Sequence, residues 1–487
     1  MNFVQSLNNN FDMLLIMEAQ LNTVFDNIIV GDGPISRTLL FYLNASISQS
    51  VLIIDAGTRA HELTEKIKID SNINYDSPLR APSFHTGKDS HVWYGGCQGW
   101  PSSNTLNNSK DSLPISVQDI KFAKISNKLL RDLKVFNFNV STSKLFYSIQ
   151  KKYNSANKAL NSDFIYCKIL KDPYLRKLAK KNKSNDKNTF VSEIIITKIN
   201  PLRSYIELLG VDEFGRKVKF LGKRVHLALG TIENTRIILN SKKELKLEDN
   251  AYVGKFLSDH LSFSISKIGS NNINRVIRDF SRTTSLDGTL LWPRISMDAK
   301  SSNQQDIRSF VHGSHFEFDD STPLFYKLLR KVKKENYFFY KAKTGSLQLN
   351  FFIEKLNDIL NSIELDFCTE YEIAPIKIKF TLNNNEHNSH SEIVQNYFDL
   401  LKDLYGLTDD VNNISLKFNS LRKSDLHASV HPSGTYRMSI NSKQGVVNTK
   451  SELWNDTRIR ILGSGVLPRA SSTHPTLISM VLARLMD

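Results

Sequence analysis

Cysteine is scarce in this chain. Its 487 residues hold three, Cys97, Cys167 and Cys368. They are far apart and odd in number, which argues against a disulfide framework and fits a reducing compartment. Long apolar runs are also missing: none reaches the roughly 20 residues that a membrane-crossing helix needs. The segment Met13-Leu14-Leu15-Ile16-Met17 is short and lies between Asp12 and Glu18. It lacks a basic leader and a small-residue cleavage site, so no secretory signal is expected. A cytoplasmic location without a transmembrane segment follows as the expectation.

Balanced charge is absent as well. The net charge is +15, from 64 Lys and Arg against 49 Asp and Glu. The lysines are scattered, with clusters at 177–187 and 330–334 that are not interleaved with aromatics in a nucleic-acid motif. The excess reads as a solvated surface, with no nucleic-acid partner. It leaves room for peripheral contact with an anionic membrane and hints at an acidic substrate. No metal is expected: His312, His315, His387 and His390 form no ligand pattern, and His312 and His315 fall on opposite sides of a strand.

What the chain has is a compact β-α-β unit near its start. Asn27-Ile28-Ile29-Val30 has the composition of a buried parallel strand. Gly31-Asp32-Gly33-Pro34-Ile35-Ser36 follows, then a helix over 38–43 and a second strand over 51–54 that ends in Asp55-Ala56-Gly57. The first glycine permits the tight turn, and the second lets backbone approach a pyrophosphate that sits on the helix N-terminus. Ser36 stands where a third glycine is usual and is small enough for close packing. Asp55 is placed to accept from a ribose, which disfavours a 2′-phosphate. The unit predicts a dinucleotide without choosing between NAD and FAD.

Two histidines near the other end suit proton transfer from an alcohol, since imidazole titrates near neutrality. One is in His431-Pro432-Ser433-Gly434-Thr435, the other in Ser472-Thr473-His474-Pro475-Thr476-Leu477, just before an apolar helix over 477–485 expected to pack on the first strand. Between the two ends, residues 295–297, 310–316, 345–354 and 376–382 read as strands. Residues 322–341 and 390–404 read as helices, and 383–390 as a polar loop. Residues 189–197 and 203–209 read as paired strands, 224–230 as a strand ending in glycine, and 234–239 as a helix capped by Thr231 or Asn234.

Five separated motifs, in order, carry a resemblance to a known family. They are Val30-Gly31-Asp32-Gly33-Pro34 with Asp55-Ala56-Gly57; Tyr94-Gly95-Gly96-Cys97; Leu229-Gly230-Thr231-Ile232-Glu233-Asn234-Thr235-Arg236; Val253-Gly254 with Asp259-His260; and the histidine pair. With these the chain resembles the glucose–methanol–choline (GMC) oxidoreductases, which are FAD-dependent. The resemblance implies a mixed α/β fold: a Rossmann-like FAD-binding domain with a sheet-plus-helices substrate domain. It divides the chain into 20–261 for the first part of the FAD domain, with a β-meander near 185–228, then 262–425 for the substrate domain, and 426–487 for the return to the FAD domain.

The same resemblance assigns residues. Gly31, Gly33, Pro34, Ser36, Asp55, Ala56, Gly95, Gly96, Cys97, Val191, Gly230, Gly463, Ser464, Pro475 and Thr476 are expected to bind the cofactor, with Val191 by the adenine. No histidine follows Gly95-Gly96, so FAD is expected to be non-covalent, and Cys97 reads as a packing residue. His431 is implied as the base and His474 as the partner of the developing alkoxide, while His260 reads as a structural bridge between domains. Gly463 departs from the aspartate found in many members. The expected function is oxidation of an alcohol or sugar-like CH–OH group, with a small-molecule substrate as partner. The alternatives are a non-redox lyase on the same FAD scaffold and a non-catalytic flavin-binding protein.

Overall fold

The computed structural model describes residues 23–46, 49–75, 96–97, 162–169, 188–280, 283–284, 290–300, 306–318, 344–366, 372–409, 411–428, 431–470 and 475–484. The expected helix at 322–341, the site residues Gly95 and His474, and Cys368 lie outside them. Elements are numbered in chain order among the described residues.

The first sheet grows from the β-α-β unit. β1 (Val24–Val30) and β2 (Val51–Ile54) run parallel, joined by α1 (Pro34–Ser46). β6 (Asn188–Val191) extends the parallel array beyond β2. On the other side β1 pairs with the long β9 (Lys217–Leu227) over Leu221–Leu227. The first half of β9 also forms the meander with β8 (Ile206–Val211) and β7 (Ile195–Pro201). Its second half accepts β18 (Ile459–Ile461) in parallel. The expected strand over 189–197 is therefore two strands. Glu193 has a positive φ of 63° and breaks it, so that β6 joins the parallel array and β7 the meander.

The second sheet is antiparallel, in the order β17-β10-β14-β13-β12-β5-β4, with the short β11 (Thr283–Thr284) on β12. Its strands are β4 (Gly96–Cys97), β5 (Ser162–Ile169), β10 (His260–Ser270), β12 (Leu290–Lys300), β13 (Asp306–Phe318), β14 (Gly345–Glu354) and β17 (His427–Ala428). β4 and β5 come from the part of the chain expected in the cofactor domain and pair with the middle of the chain instead. Alternation gives this sheet two unlike faces. Leu261, Phe263 and Ile265, Ile295 and Met297, Ile307 and Val311, and Leu349, Phe351 and Ile353 point to one side. There they pack under α4 (Ile273–Phe280), α5 (Asn384–Tyr405) and α6 (Val411–Asn419). The other face carries His260, Arg294, Phe310, His312, Phe352 and Glu354 by register.

A third, three-stranded sheet joins distant parts. β3 (Ile67–Ser71) follows the short α2 (Ala60–Glu65) and runs parallel to β16 (Ile376–Phe380), which pairs antiparallel with β15 (Ser362–Leu365). α7 (Pro475–Arg484) closes the first sheet by packing on α1, with Ala483 reaching the cluster of Ile29. The Arg484 guanidinium lies 3.9 Å from the Tyr42 ring centre. The helix also meets the expectation that it packs towards the first strand: Ile478, Met480, Val481 and Leu482 share a buried cluster with Ile28 and Val30.

Residues 383–390, expected as a polar loop, form the first two turns of α5. Asn383 caps the helix by accepting the Glu386 N–H at 2.8 Å. Glu386 then turns inward to Lys355 Nζ at 2.6 Å, with both side chains buried, and also accepts the Leu356 N–H at 2.7 Å. His390, one turn on, is buried, and burial pushes its pKa down to about 3. The local polarity that suggested a loop instead belongs to a cap and an internal ion pair. Substituting Lys355→Met removes one partner of that pair and leaves Glu386 buried without its cation. Urea unfolding is expected to show a loss of about 3–5 kcal/mol.

Candidate functional site

The turn at Gly31–Gly33 joins β1 to α1, as the sequence suggests. Gly31 adopts a φ of +102°, and a Cβ there would come within 2.7 Å of the Ala228 carbonyl oxygen on the neighbouring chain segment, so only glycine fits. Gly33 has open space where a side chain would project, with nothing within 4 Å. Pro34 opens α1, where its missing N–H costs nothing. Ser36 is buried, and its hydroxyl has no hydrogen-bond partner among the described residues. An open backbone at Gly33, a free helix N-terminus and an orphaned hydroxyl beside it fit a pyrophosphate.

Asp55 sits at the tip of β2. Its carboxylate accepts the Asp32 N–H at 3.0 Å and the Gly57 N–H at 2.8 Å. Its own N–H donates to the Val191 carbonyl at 3.0 Å, which brings the residue expected by the adenine to the same tip. Burial, helped by the charges of Asp32 and Glu193, pushes the Asp55 pKa up to about 6. Ala56 is buried beside it.

The second half of the site joins three chain segments. Gly230 precedes α3 (Thr231–Asn240) with a φ of 92° and open space around its Cα. No side chain caps this helix, contrary to the sequence expectation. Thr231 points away from the helix end and donates to the Pro432 carbonyl at 2.6 Å, and Ser464 Oγ reaches the same carbonyl at 2.7 Å. Asn234 accepts the Leu229 N–H and donates to Tyr436 Oη and the Leu462 carbonyl at 3.0 and 2.8 Å. These bonds tie the Gly230 and Gly463-Ser464 turns to the residue that follows His431. They also explain Gly463: at φ +126°, a Cβ would lie 3.1 Å from Tyr436 Oη, so the buried tyrosine takes the room that a larger side chain needs.

His431 is held through its backbone. Its N–H donates to both carboxylate oxygens of the fully buried Asp259, at 3.1 and 3.2 Å, while the His260 N–H donates to one of them at 2.7 Å. Ser258, two residues before His260, and Ser433, two residues after His431, exchange reciprocal backbone bonds at 3.0 and 2.8 Å. The His260 and His431 rings meet edge to face with centres 5.6 Å apart. His260 also lies 6.1 Å from the Phe310 ring, over which Arg294 stacks at 4.4 Å. Burial, and then the positive charges available to His260 and Arg294, hold the His431 pKa well below the ordinary histidine value. The result is a neutral imidazole at the edge of the polar face of the second sheet.

Ligand-type atoms of Asp259, His260 and His431 lie within 4.8 Å of one another. Sequence reasoning treated His260 as a bridge between domains and gave Asp259 no role. The adjacent Asp259-His260 pair was visible, but nothing local connects it to a residue 172 positions away. Of the remaining expected residues, Gly96 and Cys97 lie on β4, and Pro475 and Thr476 begin α7.

Two substitutions test this geometry. Asp55→Asn removes a carboxyl whose folded pKa is raised above its unfolded value, so the charged group weighs against folding at pH above about 6. Thermal unfolding of the apoprotein is expected to show a gain of up to ~3 kcal/mol at pH 8, shrinking as the pH falls toward 4. Asp259→Ala orphans two buried N–H groups, at a cost of about 1–3 kcal/mol each. It should lower both the melting temperature and turnover.

Comparison with known proteins places these observations in context. The family described as GMC oxidoreductase matches residues 360–483. The fold is shared along nearly the whole chain with pyridoxine 4-oxidase from Mesorbium loti, at 12% identity and a TM-score of 0.54, covering 94% of this chain and 97% of that one. It is shared likewise with an R554K variant of formate oxidase from Aspergillus oryzae RIB40, at 13% identity and a TM-score of 0.56, covering 95% and 97%. Among curated protein sequences there is no match.

Proposed function

We propose that this chain, whose residues 360–483 match the family described as GMC oxidoreductase, is an FAD-dependent member of it that oxidises the CH–OH group of a small alcohol or sugar-like substrate, with His431 as the base. The observation that carries the reading is the neutral, backbone-anchored imidazole of His431. It stands where the segment joined to the Gly230 and Gly463-Ser464 turns meets the polar face of the second sheet. FAD, when bound, supplies the hydride acceptor. In this reading Gly31, Gly33, Pro34 and Ser36 hold its pyrophosphate and Asp55 its ribose, with Ala56 and Val191 at the same end. Gly95, Gly96, Cys97, Gly230, Gly463, Ser464, Pro475 and Thr476 cover the rest, without a covalent bond.

The chain's own residues supply the proton chemistry. An imidazole kept neutral by burial and by nearby positive charge is ready to accept a hydroxyl proton at neutral pH. Asp259 fixes the main chain on which that ring turns, and it does so by accepting hydrogen bonds, leaving the ring itself to face the substrate. His474 is assigned to the developing alkoxide on the family resemblance. Arg294, Phe310 and Phe352 are the side chains on the sheet face nearest to this edge, and they are proposed to line the substrate space.

The test is anaerobic mixing with candidate alcohols while the flavin absorbance is followed. His431→Ala is expected to slow flavin bleaching by about 10²–10⁴-fold while FAD stays bound. Bleaching at the wild-type rate would remove His431 from the role of base, and the absence of bleaching in the wild type with all CH–OH donors would favour a lyase. The pH dependence has a definite sign. Because the His431 pKa is depressed, the base is available well below the ordinary histidine value, so kcat/KM at saturating FAD should hold between pH 8 and pH 6.5 and fall only at lower pH.

A further inference from the structure

The dinucleotide turn carries a charge that its ligand should not tolerate. Asp32 lies between the two glycines at the mouth of α1, where a pyrophosphate would bring negative charge of its own. Its backbone N–H is engaged with Asp55, but its side chain remains partly exposed at 30%. Two more carboxylates stand close by on the same side. Asp55 is at the β2 tip, and Glu193 accepts from the Thr58 N–H and hydroxyl at 3.1 and 2.8 Å. The influence of Asp32 and Glu193 on Asp55 shows that these charges feel one another.

The same turn also holds a cation. Arg37, one turn into α1 and almost fully buried, grips Asp32 fork to fork: Nε to Oδ1 at 3.0 Å and Nη2 to Oδ2 at 2.8 Å. The two contacts join both nitrogens to both carboxylate oxygens, a bidentate pairing that lysine cannot reproduce. The pair spans the start of the helix whose free N–H groups would receive the phosphate.

We propose that Arg37 is the residue that makes this turn acceptable to a pyrophosphate, by pinning and neutralising the Asp32 carboxylate at its centre. The inference rests on the FAD reading of the site and concerns affinity, not the chemical step. Without Arg37, the Asp32 carboxylate would face the diphosphate directly and repel it, with a strength that falls as salt rises.

The experiment measures binding to the apoprotein, using FAD and ADP as probes and adenosine as the phosphate-free control. Arg37→Met is expected to weaken both FAD and ADP by at least about tenfold at low salt, equivalent to ~1.4 kcal/mol, and to leave adenosine unchanged. The loss should shrink in about 1 M salt. The double variant Asp32→Asn with Arg37→Met should recover to within roughly threefold of the wild type, because the charge to be cancelled has gone. Two results would overturn the proposal: an Arg37→Met protein that binds ADP like the wild type, or a double variant as weak as Arg37→Met alone. If Arg37→Met does not fold, Asp32→Asn alone decides: it should bind ADP at least as tightly as the wild type, and weaker binding would count against the idea. A wild-type apoprotein that takes up neither FAD nor ADP would overturn the cofactor reading along with this inference.

Discussion

The carboxylate of Asp259 is out of contact with solvent and is filled by backbone N–H groups from two segments that are far apart in the chain. A buried carboxylate is costly unless such donors surround it, so the segment at 431–435 cannot settle elsewhere without stranding the charge. The constraint spreads outward. The Ser258 and Ser433 exchange and the bond from the Gly254 N–H to the Thr435 carbonyl at 2.8 Å continue the pairing on one side, and Lys355, whose N–H donates to the Asp259 carbonyl at 2.9 Å, continues it on the other. Through Lys355 the same residue is tied to Glu386 and the start of α5. Asp259, whose carboxylate fixes the histidine main chain, is thus also tied through its own carbonyl to Lys355 and so to the helix layer.

The second sheet divides its labour by register. One side is a continuous apolar surface under α4, α5 and α6, which makes it rigid. The other keeps aromatic and charged groups at the same residue spacing: His260, Phe310, Phe352 and Arg294 touch in sequence. A one-residue slip in any strand would exchange the two sets, so the buried apolar face holds the polar face in place. Burial is the main reason the His431 pKa is lowered, and two members of that polar face, His260 and Arg294, add to it.

How much of this was legible in the sequence depended on distance along the chain. The β1–α1–β2 unit was readable because its signals are contiguous: a β-branched strand, two glycines, and an acid at the next strand tip. His431 was singled out as a candidate from its immediate flanks. Asp259 was not, because its partners are set by a pairing that only the folded chain makes. β3 was missed for a similar reason: five residues near the start pair with β16, some three hundred positions later, and carry no local mark of it. Residues 383–390 misled because asparagine and histidine read as loop, whereas here Asn383 is a cap and His390 a buried residue. Glu193 shows the converse, a break inside an apparently continuous strand that only a positive φ reveals. The sequence also contained Asp32 and Arg37, five apart, but nothing in the spacing says that the two side chains meet.

The order in which the first sheet is assembled has a consequence for the living cell. The second half of β9 has a partner on its other side only when β18 arrives, more than two hundred residues after it has been made, and α7 covers α1 later still. A nascent chain therefore exposes an unfinished sheet edge while residues 228–458 are being made, a condition in which chains are prone to aggregate. A product that stops in the middle of the chain would carry the first sheet without β18 and without the cover of α7.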